Sequence, residues 1–406
     1  MSEIKVNSIK GVGATNAAIT VNNTDGTCTA NISSINGGQL SGRKNLVTNG
    51  EMIICQRAGT TSTAVTDEHE YVLDRFMVST TAGGGTSLNV QQLHGNPTNA
   101  PYGFAASMKM TVAVADDGGA DSFNVLQTRI ENLDTNYLAF GTAQAKNVTL
   151  SFHVKSSLTG TFGGSLVSGD FSRGNVFQYT ISSADTWEKK TITIVGDTTS
   201  TADSVYNRAT VTSANGLTLY FDLGSGSNNE KSAANSWSAT GVNSYGSRIA
   251  GNVKLCANAG ADWSITGVQL EEGSIASDFE HRSFAQELAL CQRYYYVVAD
   301  GRDSATTGHA TNQMGIGYAY SATQIETTIF YPVMRTAPSL VQGSGSNYFI
   351  AVNTNALDYF DSYVIYAQSP RVALLYQNSG VSGLTTGEAY RLELGSNAYI
   401  HLNAEL

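Results

Sequence analysis

The sequence predicts an all-β protein: an antiparallel jelly-roll sandwich, a smaller C-terminal β domain, one short connecting helix and a core-poor N-terminal arm. Three observations point there. Gly is abundant (41) and Pro scarce (5), and charged residues make up only 14%. Long surface helices carry many Glu and Lys, so this balance favours short strands joined by Gly, Asn and Ser turns. Apolar and polar residues alternate over many strand-length segments, the period of a sheet with one face on a core. A single helical stripe with a start signal interrupts them, at residues 283–298.

Residues 1–43 read as a separate arm. EIKVNSI and AAITVNN alternate weakly, with too few large apolar residues for a private core. A strand-like, core-poor segment can bury itself against copies of itself, so the arm is expected to dock or oligomerise.

Residues 44–282 read as the sandwich. SMKMTVAVA puts Met108, Met110, Val112 and Val114 on one face, and NVTLSFHVK does the same with Val148, Leu150, Phe152 and Val154. KTITIVG repeats the pattern with Ile192 and Ile194, and LTLYFDL with Leu217, Leu219, Phe221 and Leu223. Turn clusters such as DDGGAD (116–121) and GSGSNNE (224–230) separate the strands. Trp187 and Trp263 each precede an alternating strand and read as core.

Ser283 followed by Gln286 is a capping-box start, and Phe284, Leu288, Cys291 and Tyr295 form one helical stripe behind it. The stripe runs into Tyr294, Tyr295 and Tyr296, which read as a plug covering the seam between two β domains. Alternation resumes over 299–406, in NYFIAV, VIYAQ, RVALLY and YRLEL.

The formal net charge is −10 with no Lys/Arg run, which argues against a nucleic-acid partner. No stretch of about 18 apolar residues is present to insert in a membrane. MSEIKVNSIKG has no apolar run after its charges and does not read as a signal peptide. Cys28, Cys55, Cys256 and Cys291 lie far apart without metal spacing and read as reduced thiols.

RKNLVTNGEMIICQR (43–57) with YVLDRFMVS (71–79) resembles the opening of the jelly-roll module of many bacteriophage tail-fibre and related virion proteins. That opening reads N-L-x-x-N-G, then Q-R, then Y-x-x-D-R-aromatic. The resemblance continues through NVTLSFHVKSSLTGTF, TWEKKTITIVGDTT, WSITGVQLEEGSIASDFEHR, ELALCQRYYY and YPVMRTAPSL. It implies a carbohydrate-binding-module-like jelly roll whose final strand, here ITGVQLEEG, pairs near the N-terminal one. Such modules often carry structural calcium. Residues 1–43 resemble short phage-fibre N-termini and not the long tail-attachment domain of podovirus fibres.

No catalytic residue is expected. GxSxG, HExxH and the P-loop are absent, and no fixed-period repeat suggests a parallel β-helix. Gln56, Arg57, Asp74 and Arg75 read as a structural network, with a bidentate Arg–Asp pair tying the first strand to its neighbour. Asp67, Glu68, His69 and Glu70, and the rival Asp116, Asp117 and Asp121, are the places where calcium would sit; both match solvated turns better. Sugar-binding proteins present aromatic faces flanked by amides and carboxylates. Two stretches fit that chemistry: Trp237 and Tyr245 in NSWSATGVNSYG, and Tyr359, Phe360 and Tyr363 with Asp358 and Asp361 in LDYFDSY. Strand or subunit packing is the competing reading for LDYFDSY.

The function expected is a non-enzymatic virion fibre, a homotrimer whose arm contacts other tail or capsid proteins and whose C-terminal part binds a host surface glycan or protein. The alternatives are a tail or capsid component with no receptor role, and a polysaccharide depolymerase.

Overall fold

The computed structural model describes residues 43–406 apart from 58–61, 67, 81–84, 96, 118, 211, 240–245, 302–312, 344, 355–356 and 396–397. It also gives the backbone of three short strands before them, Ser8–Ile9, Ile19–Val21 and Cys28–Ala30, which pair antiparallel. The protein is all-β. Two sheets make the sandwich. One orders Glu188–Ile194, Val148–Ser156, Asp262–Glu272, Ala106–Val114, Ser87–His94 and Thr63–Val65. The other orders Trp237–Ala239, Arg173–Ile181, Gly160–Ser168, Asn215–Asp222, Val125–Glu131, Phe76–Thr80 and Glu68–Leu73.

The alternating residues supply the core between these sheets. Phe152, Phe221 and Trp263 are fully buried, and Phe152 meets Tyr179 and Phe221 edge-on at 5.0 Å. Each such aromatic contributes about 1.5–3 kcal/mol by leaving water. Trp187 departs from expectation: it is half-buried, with the Lys155 ammonium 5.2 Å from its ring.

The NLVTNG stretch is a folding device. The Asn45 side chain donates to the Val268 carbonyl and accepts from the Val47 and Leu270 amides, fastening the first segment to the last sandwich strand. Asn49 adopts φ 61°, and its amide group bridges Ile54 and the Asp74 carbonyl. At Gly50 a Cβ would stand 2.1 Å from the Val268 oxygen, so only glycine allows this approach.

The helix is Phe284–Gln292, and its Ser283–Gln286 capping box is formed. The expected stripe is buried at Cys291 and Tyr295 and half-buried at Leu288, but its first member, Phe284, is exposed. Glu287 is buried as well, because its carboxylate accepts from the Asn49 amide and from Arg282.

Tyr295–Asp300 then pairs with Tyr399–Asn403, so the second β unit starts inside the tyrosine cluster. That unit holds a three-stranded sheet and a seven-stranded one. The latter is ordered Leu357–Phe360, Phe349–Val352, Ala389–Leu394, Gln313–Ser321, Gln324–Phe330, Val372–Gln377 and Val364–Gln368. Its inner face forms a second core with Ile325, Phe349, Phe360, Leu375 and Leu392. Among the described residues no helix is long and apolar enough to cross a membrane.

Candidate functional site: an exposed aromatic sheet face

The LDYFDSY stretch does not present its three rings on one face. Phe360 and Tyr363 are 1% and 2% exposed, 5.0 Å apart edge-on, and belong to the second core. Strand alternation turns Phe360 inwards while its neighbour Tyr359 faces out, half-buried. The two aspartates serve the backbone. Asp358 accepts from the Tyr359 and Ser382 amides, and Asp361 from the Asn347 amide at 2.7 Å.

Trp237 is half-buried and already engaged. Its ring meets Phe140 and Tyr206 edge-on at 5.5 and 6.1 Å, and its Nε1 donates to the Val195 carbonyl. Tyr245 lies outside the described residues. The Asp67 position does too, while His69 hydrogen-bonds the Ser79 hydroxyl at 2.7 Å. Asp117 pairs with Lys254, and Asp121 accepts from Asn228. Among the described residues no three His, Cys, Asp or Glu side chains gather as a metal site would require.

The Arg–Asp expectation is corrected as well. Asp74 accepts from the Gln56 amide and side chain at 2.6 and 2.7 Å, and its ion pair with Arg57, at 3.8 Å, is not bidentate. Arg57 and Arg75 both bind Glu405 instead, and their guanidinium groups stack on Tyr295 and Tyr294 at 3.7 and 3.5 Å. The network is structural, with a different carboxylate at its centre. Cys256 and Cys291 are free and buried, and burial raises both thiol pKa values, which keeps them unreactive.

What the sequence reading missed is the outer face of the seven-stranded C-terminal sheet. In the 313–321 strand, GIGYAYS, the small residues Gly317 and Ala319 point inwards and Ile316, Tyr318 and Tyr320 point out. The inversion has a packing cause. A Cβ at Gly317 would stand 2.6 Å from the Glu326 carbonyl and 2.8 Å from Leu392, which fills that space. Ile316 is therefore 74% exposed and Tyr320 61%; Phe330 on the adjacent strand is 79% exposed, and Tyr366 on the edge strand two further across is 74% exposed.

The register brings these residues together. Tyr318 lies opposite Glu326, Glu326 opposite Tyr376, and Tyr376 opposite Val364. The Tyr318 hydroxyl donates to Glu326 Oε2 at 2.5 Å, Gln324 donates to Oε1 at 2.7 Å, and this hydrogen bond raises the Tyr318 pKa. Tyr366 meets Tyr376 edge-on at 5.9 Å. The Glu326 carboxylate, 9% exposed and with both oxygens engaged, thus lies between exposed Tyr318 and half-buried Tyr376. The sequence signal was present in GIGYAY, where every large residue falls on one parity and every small one on the other.

No family model matches the chain, and no curated protein matches it. Among solved structures it is similar to the enzymatically active domain of tailspike protein 4 from bacteriophage CBA120, at 11% identity, 56% coverage of this chain and TM-score 0.29. The chain spans 21% of that structure. It is also similar to a putative sugar binding protein from Bacteroides thetaiotaomicron, at 10% identity, covering 56% of this chain and 100% of that one, TM-score 0.28. A third similar structure is a family 11 carbohydrate-binding module from Clostridium thermocellum in complex with a mixed-linked tetrasaccharide, at 12% identity, covering 53% and 98%, TM-score 0.25. At these TM-scores the likeness carries no residue-by-residue correspondence.

Proposed function

We propose that this chain is a non-catalytic fibre protein of a phage virion, docked through residues 1–43 and adhering to host surface glycan through its C-terminal sheet. The observation behind the reading is the run of exposed large side chains, Ile316, Tyr318, Tyr320, Phe330 and Tyr366, on the outer face of one sheet. Tyrosine faces receive the C–H side of pyranose rings, and the Tyr318 and Gln324 polar ends lie at the same face to meet the hydroxyls. Individual sites of this shallow kind bind weakly, and a homotrimer would gain strength by engaging three at once. The jelly roll acts as the rigid body between dock and tip.

The test is adsorption of the purified full chain to host cells, with competition against infection. Adsorption that is lost in the double variant Tyr318→Ala, Tyr366→Ala supports the reading. Unchanged adsorption in that variant, or failure of the wild type to adsorb or to compete, rejects it.

A further inference from the structure

The same face carries a depression of about 300 Å³, lined by Gln313, Gly315, Ile316, Ala389, Tyr390 and Arg391. It is formed by an irregularity in the 313–321 strand. The register against Ala389–Leu394 shifts between Gln313, opposite Glu393, and Gly315, opposite Leu392. Gly315 sits at φ +145°, and nothing lies within 4 Å of where its Cβ would stand. A bulge with a glycine therefore leaves a hollow beside the tyrosines.

Among the described residues, Arg391 is the one charged side chain lining it. Its Nε donates to Glu393 Oε1 at 2.5 Å. The Glu393 side chain is fully buried and that of Arg391 is 48% exposed, so the carboxylate holds the inner edge of the guanidinium and sets its direction. The Nη groups remain as outward donors. Ile316 stands directly opposite Arg391 in the register, with Tyr318 two residues on along the same face.

We infer that this depression recognises an acidic sugar, with the carboxylate of a hexuronic acid on the Arg391 Nη edge and the ring over Ile316 and Tyr318. This rests on the glycan-binding reading above and names its ligand class. One planar fork matches one planar carboxylate through paired hydrogen bonds.

The experiment is calorimetric titration of the full chain with an oligosaccharide of alternating glucuronic acid and neutral hexose. The comparison ligands are the same oligosaccharide with its carboxyl groups reduced to alcohols and a phosphorylated neutral one. The expected result is about tenfold tighter binding of the acidic form, the scale of one charge-assisted contact. Arg391→Gln should erase that preference while leaving binding of the reduced form. Arg391→Lys should keep part of it. Ala389→Phe, which fills the hollow without touching the cation, should weaken the acidic form. Equal binding of acidic and reduced forms, a preference that survives Arg391→Gln, or tighter binding of the phosphorylated ligand would overturn this inference alone. Failure of all three ligands to bind would overturn it together with the glycan reading.

Discussion

Arg75, in the first hairpin of the jelly roll, pairs with Glu405, 330 positions later. Arg57 reaches the other oxygen of the same carboxylate at 2.9 Å. Arg335 donates to the Ala404 and Glu405 carbonyls, and Arg129 to that of Leu406. The last residues are thereby sewn into the first β unit. The pKa of Arg75 is raised, because Glu405 outweighs the lowering by burial.

Glu405→Ala would leave the Arg75 guanidinium buried without its counter-charge and Arg57 with Asp74 alone, at 3.8 Å. Breaking a buried pair from one side costs about 3–5 kcal/mol. Urea denaturation should show that loss, and Glu405→Gln, which keeps hydrogen bonds, should lose less. A change under about 1 kcal/mol in Glu405→Ala would mean the seam is held elsewhere.

Glu131 provides the pH dependence of the same seam. Burial raises its pKa, but hydrogen bonds from Arg293 and Tyr294 bring it from the ordinary 4.5 to about 2. A folded value below the unfolded one means the contribution is complete above 4.5 and lost as pH falls towards 2. Glu131→Gln should thus lie well below wild type in urea midpoint at pH 7, with the gap narrowing across that window. A gap independent of pH would contradict the assignment.

Phe360 and Tyr366 belong to one sheet but opposite faces. Phe360→Ala should cost about 3–5 kcal/mol, the range for emptying a buried aromatic site. Tyr366→Ala should stay within about 0.5 kcal/mol, as exposed substitutions do. Adsorption should respond in the reverse order once folded protein is compared. Equal destabilisation by the two would place Tyr366 in a packed interface.

Native mass separates the assembly roles. The intact chain is expected to be a trimer and residues 44–406 a monomer. An unchanged mass after truncation would move the self-contacts into the β units.

Much of the architecture was legible because period-2 alternation reports burial directly. Met108, Met110, Leu150, Phe152, Leu219 and Phe221 all lie where their parity put them. The capping box was legible for the same local reason. The helix stripe was legible at Cys291 and Tyr295, but the burial of Glu287 was not, because its partner at Asn49 is remote in sequence. The Arg57 and Arg75 partner was missed because Glu405 is remote in sequence. LDYFDSY misled because composition was read without parity, which divides Tyr359 from Phe360. GIGYAYS was passed over because its large residues sit on the solvent side, the reverse of an ordinary sheet, for a packing reason that only Leu392 and Glu326 reveal.

Hydroxyl-radical footprinting of the full chain, free and mixed with host surface polysaccharide, addresses the adhesive face most directly. Tyr320 and Tyr366, 61% and 74% exposed, should be oxidised when free and protected when bound, while Tyr102, 78% exposed on the jelly roll, should react equally in both. Protection at Tyr102 with none at Tyr320 and Tyr366 would contradict the account.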